Sequence, residues 1–293
     1  MAVTNGVDAE LAGRLVAAQF PRWAHLPLAL VDGAGSDHVI FRLGESLSVR
    51  LPRGDWAAGQ ARKEHVWLPR IAPHLPVPIP EPLGLGVPGL GYPWHWSVTR
   101  WLAGETATVD GFADPVATAV RLAEFMADLQ RIPPADTFAP GPHPELDGAD
   151  LAARDEGTRA AIAAARHVFD AGALTALWEA ALAAPAWDRP PVWFHGDLHT
   201  GNLLVDGGRL GAVIDFGGLG TGDPAIDLTI AFTLMTAGTR PAFRAALGVD
   251  DATWLRGRGW ALTTGLNAYT SYAATSPRVA EQTHRQVTAA LAG

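Results

Sequence analysis

Over the first hundred residues the apolar and polar positions follow mostly the two-residue period of strands. Leu28 to Val31 and His38 to Leu43 read as short strands, and Leu47-Ser48-Val49-Arg50-Leu51 alternates as a half-buried strand does. A Pro-Arg-Gly-Asp break follows. Trp56 to Ile71 then reads as a helix, with Asp55 as its N-cap and Pro73 just beyond its end. Trp94 to Leu102 is aromatic and β-branched, predicting a strand that enters a connector at Ala103-Gly104. The period then changes. Pro115 to Gln130 predicts an amphipathic helix with Val116, Val120, Ala123 and Ala127 on one stripe, and Ile132 to Pro144 breaks the chain with prolines. Helical patterns resume over Ala149 to Asp170 and Gly172 to Leu182, and Val192-Trp193-Phe194 is a further strand.

The chain can form one two-lobed unit or two domains. At 293 residues and 48% hydrophobic, the chain can bury a large core. It has no cysteine, which excludes disulfides and thiolate metal sites. A net charge of -8 and the lack of any Lys/Arg-rich run argue against a nucleic-acid partner. The first residues carry no basic, then apolar, leader pattern and no window has the length of a membrane span, so the expected location is cytoplasmic, with no membrane partner. Of the 22 basic residues only Lys63 is a lysine.

The chemistry concentrates in two short segments. Residues 195 to 202 read H-G-D-L-H-T-G-N, and Ile214-Asp215-Phe216-Gly217 follows. Their order and spacing resemble a kinase catalytic centre, H-R-D-L-x-x-x-N followed by D-F-G, with Gly196 in place of the arginine. Phosphoryl transfer asks the protein mainly for positioning and charge neutralisation. Oxygen ligands such as Asn202 and Asp215 suit Mg2+, and a carboxylate at Asp197 suits the proton of an acceptor hydroxyl, a role worth roughly 10²–10⁴ in rate.

With G-D-P-A-I-D-L at residues 222 to 228, the sequence resembles the aminoglycoside phosphotransferase family, from about residue 30 to the C-terminus and most specifically over 192 to 232. The resemblance implies an α+β, two-lobed protein-kinase-like fold, with a small, mostly β N-lobe at 1-102 and a larger, mostly α C-lobe at 103-293. It implies ATP or GTP as donor, Mg2+, and a small-molecule acceptor. By the same resemblance Arg50 stands where a strand lysine grips phosphates, and Glu64 is its partner, the alternative being an exposed Lys63/Glu64 surface. Gly33 to His38 resembles a degraded glycine-rich loop in which the amides of Ser36 and Asp37 would approach a phosphate. The backbone near Arg100 to Leu102 would read the base. His195 would pack the catalytic loop, His199 would lie close to the phosphates or the acceptor, and Asp223 or Asp227 would buttress the loop.

Only residues 218 to 222 separate Gly217 from Asp223, and no A-P-E follows, so a protein-kinase activation segment has no room. The expected activity is O-phosphorylation of an antibiotic of aminoglycoside, macrolide or nucleoside type, by a monomer or dimer. The acceptor pocket would come from residues 133 to 191, rich in carboxylates, and from the arginine-rich C-terminal part, where Phe232, Trp254, Trp260, Tyr269 and Tyr272 frame a pocket or pack helices. The rival readings are a kinase of an amino alcohol or sugar, a non-catalytic nucleotide-binding module, and a metallohydrolase using His195, Asp197, His199 and Asp215 as ligands.

Overall fold

The computed structural model describes residues 6–31, 35, 37–133 and 150–293. The chain forms two compact units. The first comprises Met1–Pro73, Pro78–Gly104 and Ala212–Gly217, and the second His74–Val77, Glu105–Gly211 and Gly218–Gly293. The main division falls at Gly104, and the short pieces 74–77 and 212–217 belong to the unit opposite their neighbours in sequence.

The first unit is built on an antiparallel sheet of β1 (Leu28–Leu30), β2 (His38–Leu43), β3 (Leu47–Pro52), β4 (Pro82–Gly86) and β5 (Trp96–Arg100), in the order β1-β2-β3-β5-β4. Helix α1 (Ala9–Gln19), N-capped by Asp8, packs Ala12, Leu15 and Val16 into the core formed by Val39, Phe41, Val49, Leu51, Trp96 and Val98. Every residue of β3 is buried, so it is not the half-buried strand its alternation predicts. Its polar face is closed as well. Ser48 and Thr99 share a buried hydrogen bond of 2.7 Å, and Arg50 points into a cluster of charged partners.

Helix α2 (Gln60–Ile71) begins later than its sequence suggests. Asp55 caps no α-helix. It opens a short turn, Asp55–Ala57, and its carboxylate accepts from Trp94 Nε1 at 2.8 Å, while Gly59 occupies the N-cap of α2.

The second unit is mostly helical. Strands β6 (Glu105–Thr106), β8 (Leu203–Asp206) and β9 (Arg209–Val213) form one sheet in the order β6-β8-β9, and β7 (Val192–Phe194) pairs with β10 (Gly220–Gly222) in another. Helix α3 (Pro115–Arg131) buries Thr118, Ala119, Leu122, Phe125, Met126 and Leu129. The expected stripe is displaced: Val116 is 48% exposed, and only Ala123 of the four expected residues is buried. The larger side chains at 122, 125, 126 and 129 also recur at helical spacing, and burying them removes more apolar surface from water than burying alanines and valines.

Helices α4 (Asp155–Ala165), α5 (Ala171–Ala183), α6 (Thr229–Thr233), α7 (Arg240–Leu247), α8 (Asp251–Tyr272) and α9 (Pro277–Ala292) complete this unit. Four of them, α4, α5, α6 and α9, pack on α8. Trp254 and Trp260 of α8, with Phe232 of α6, are buried, so these aromatics are helix-packing core; Tyr272 is exposed. No helix among the described residues is long and apolar enough to cross a membrane.

Candidate active site

The catalytic loop belongs wholly to the second unit and leaves the end of β7. Phe194 lies opposite Gly220 of β10, which fixes where the chain turns out of the strand. His195 is fully buried. The carboxylate of Asp227 accepts the backbone N–H of His195 on Oδ2 at 2.7 Å and that of Gly196 on Oδ1 at 2.8 Å. Asp227 is therefore the residue that buttresses the loop. Asp223 is not: it caps the turn Pro224–Leu228 through the Ala225 amide and pairs with Arg256 Nε at 2.6 Å. Gly196 adopts φ +84, and a Cβ there would lie 2.0 Å from the Gly218 carbonyl oxygen. That close approach explains a glycine where protein kinases carry arginine.

Beyond this turn the side chains lock one another. Asp197 donates its N–H to His195 Nδ1 at 3.2 Å, so the neutral His195 ring carries its proton on Nε2. Asn202 Nδ2 donates to the Asp197 carbonyl at 2.8 Å and to its Oδ2 at 3.0 Å, so its amide oxygen is the end turned to any other partner. His199 accepts the Gly201 N–H on Nδ1 at 3.0 Å and so presents Nε2–H toward Asp197 Oδ2, 3.6 Å away. Desolvation by the surrounding loop works to raise the Asp197 carboxyl, although 59% of its side chain is exposed. The side-chain hydrogen bonds of His199 and Asn202 outweigh it and hold Asp197 below the usual carboxylate value. Asp227 has the opposite balance: burial, reinforced by the charge of Asp197, pushes it up to about 7 despite its two amide donors.

In the first unit, Arg50 of β3 bridges two carboxylates. Its Nη1 donates to Glu64 Oε2 at 2.8 Å and its Nη2 to Asp215 Oδ1 at 3.2 Å. Burial lowers the Arg50 pKa, but Glu64 and Asp215 more than restore it, so the guanidinium stays charged. Burial pushes Glu64 up against the pull of Arg50. Glu64 and Lys63 are both buried, so they are not an exposed surface pair. Lys63 Nζ donates to the Gly217 carbonyl at 2.6 Å, and Gln60 Nε2 to Asp37 Oδ2 at 2.8 Å. Sequence reading missed both contacts. The chain's single lysine, placed directly before the partner of Arg50, was the available signal.

Other expected nucleotide residues fall out differently. Ser36 lies outside the described residues, as does most of the glycine-rich segment before it. The Arg100 side chain forms an exposed pair with Glu81. Its N–H donates to the Glu81 carbonyl, and that of Trp101 to the Ser46 carbonyl. The amides of Arg100 and Trp101 are thus already used within the sheet and its flank, and within the expected base-reading stretch only the Leu102 N–H has no partner among the described residues. The metallohydrolase arrangement is not formed, since both His195 Nδ1 and His199 Nδ1 accept backbone amides. Among the described residues no three His, Asp or Glu side chains group as metal ligands.

The second unit also holds a cavity of about 420 Å³ lined by Leu151, Ala181, Trp187, Arg189 and the Asp223–Arg256 pair. It reaches Gly222, at the Val192 end of the β7–β10 pair, whereas the catalytic loop leaves from the Phe194 end.

Residues 28–290 match the model of the phosphotransferase enzyme family, and the chain belongs to that family. It is a kinase-type phosphotransferase acting on hydroxyl groups. Among solved structures, the chain is similar to a GDP complex of wild-type aminoglycoside 2'-phosphotransferase-IIIa, with TM-score 0.75, 20% identity and coverage of 97% of this chain and 99% of that one. It is similar to the apoenzyme of macrolide 2'-phosphotransferase MphH from Brachybacterium faecium, with TM-score 0.63, 22% identity and coverage of 95% and 98%. The streptomycin–ATP–APH(2")-IIa ternary complex matches with TM-score 0.62, 15% identity and coverage of 98% of each chain. At these identities the likeness shows the fold: the protein-kinase-like α+β architecture expected from the sequence.

Proposed function

We propose that this protein transfers the γ-phosphate of ATP or GTP to a hydroxyl of an antibiotic, inactivating it, in a Mg2+-dependent reaction. The observation that carries this reading is the built catalytic loop: an ionised Asp197 held by Asn202 and faced by His199, on a backbone pinned by Asp227. In this reading Asp197 orients the acceptor hydroxyl and takes its proton. The acceptor oxygen bonds to the γ-phosphorus as the bond to the β-phosphate oxygen breaks, and the nucleoside diphosphate leaves.

The donor set fits Mg2+. The Asn202 amide oxygen and the Asp215 carboxylate are hard oxygen ligands, and the Asp215 side chain keeps a third of its surface exposed while paired with Arg50. Bound there, the ion would neutralise charge on the phosphates. Arg50, held by Glu64, would face the phosphates with its remaining donor capacity. The Leu102 amide is the donor left to meet a base edge.

The test is nucleoside-diphosphate release with ATP and with GTP, in Mg2+, over aminoglycosides, macrolides, nucleoside antibiotics, amino alcohols and sugars. Release that depends on an antibiotic and disappears in Asp197→Ala supports the proposal. Stimulation only by an amino alcohol or sugar replaces it with a metabolite kinase. Nucleotide binding without turnover on any acceptor replaces it with a binding module.

A further inference from the structure

One face of α2 carries three polar side chains at positions 60, 63 and 64, the i, i+3, i+4 spacing that places them side by side. Each holds a different piece of the nucleotide cluster in the first unit. Gln60 holds Asp37, Glu64 holds Arg50 of β3, and Lys63 holds the Gly217 carbonyl.

Lys63 stands out on two grounds. It is the only lysine in a chain whose other basic residues are all arginine, and it is 2% exposed. A buried ammonium is costly unless its partners are well placed.

The carbonyl it holds closes the turn that begins at Asp215. Asp215 adopts φ +64, a left-handed conformation that is strained for a residue other than glycine. Such a conformation persists only where the chain is fixed on both sides. Upstream, the Val213 N–H donates to the Pro78 carbonyl at 3.0 Å. Downstream, Lys63 takes the Gly217 carbonyl at 2.6 Å. Gly217 itself is pressed against α2, since a Cβ there would lie 2.5 Å from Gln60 Oε1.

We propose that Lys63 is a positioning residue: by holding the Gly217 carbonyl it keeps Asp215 in the conformation that presents its carboxylate to the metal–nucleotide complex. This rests on the Mg2+-dependent phosphotransferase reading. The experiment titrates Mg2+ into wild-type protein, Lys63→Met and Lys63→Arg in the presence of a fluorescent ATP or GTP analogue, reading nucleotide binding directly, with turnover measured in parallel.

The expected result is a Mg2+ midpoint raised about tenfold or more in Lys63→Met, the size that loss of a charge-assisted hydrogen bond supports. Binding of the analogue without metal stays unchanged, and Lys63→Arg recovers most of the loss. A Lys63→Met protein with the wild-type midpoint and only a lower melting temperature overturns the inference and leaves the phosphotransferase reading standing. Wild-type protein without Mg2+-dependent nucleotide binding overturns both. Should Lys63→Met fail to fold, Lys63→Gln, which keeps a polar end in the buried position, is read by the same midpoint.

Discussion

Asp197 and Asp227 are two carboxylates of one loop system with opposite environments and different tasks. Asp197 is held ionised by donors that surround it, which suits a proton acceptor, so Asp197→Ala is expected to cut turnover at least about a hundredfold while nucleotide binding persists. Near-normal turnover would remove it from the chemistry. Asp227 is structural: both its oxygens accept backbone amides, and in Asp227→Asn one of those amides faces an NH2 group instead. A cost of about 1–3 kcal/mol in unfolding free energy is expected, measurable by denaturant titration. The pH dependence has a definite sign. In the folded protein Asp227 titrates near 7, above the ordinary value of 3.8, so its protonated form is favoured by folding. That contribution is complete below about pH 4 and is lost as pH rises toward 7. The stability advantage of wild type over Asp227→Asn should therefore shrink between pH 4 and 7, and an advantage that grows over this range contradicts the assignment. Sequence spacing was enough to single out Asp197, Asn202 and Asp215. It could not choose between Asp223 and Asp227, because the choice depends on Arg256, far along the chain, which occupies Asp223.

At the scale of elements, legibility followed the physics of each pattern. Strands β2 and β3, and the extent of α3, were readable because long periodic runs with turn residues at their ends have few alternatives. The buried stripe of α3 was not, since Val116 and Leu122 are both apolar and only tertiary packing selects which side faces inward. The start of α2 was misplaced because Asp55, a good N-cap by type, is drawn to Trp94 instead. Helix α8 has buried residues on most of its circumference, including Arg256, Thr263 and Gly265, so its sequence shows no clean stripe. The end of α9 was equally invisible. Its last carbonyls are met by side chains from other helices, with Arg258 donating to Ala290 and Leu291 and Arg240 to Ala289 and Gly293. Cations at a helix C-terminus are favourable, and buried carbonyls left without donors are costly. Arg258→Ala should lower stability by about 1–2 kcal/mol in thermal or denaturant unfolding, with turnover per folded molecule retained; an unchanged melting curve would show that water replaces the guanidinium without loss.

For the molecule as a whole, the fold persists at 15–22% identity to the solved relatives described. The first unit brings Arg50 of β3, Glu64 of α2 and Asp215 together although they lie far apart in sequence, and Gln60 of the same helix holds Asp37. Binding of a ligand to the folded state and not to the unfolded chain must raise stability by mass action. With Mg2+ and ATP or GTP at a hundred times the dissociation constant, unfolding should become harder by about 2.7 kcal/mol, seen as a rise of several degrees in the melting temperature. Asp197→Ala should keep that rise, because its carboxylate serves the acceptor. Asp215→Ala should lose the Mg2+-dependent part of it, because the ligand that joins metal to nucleotide is gone. A full shift retained in Asp215→Ala would take the metal away from Asp215 and, with it, the role argued for Lys63; no shift with either nucleotide in the wild type would remove the donor itself.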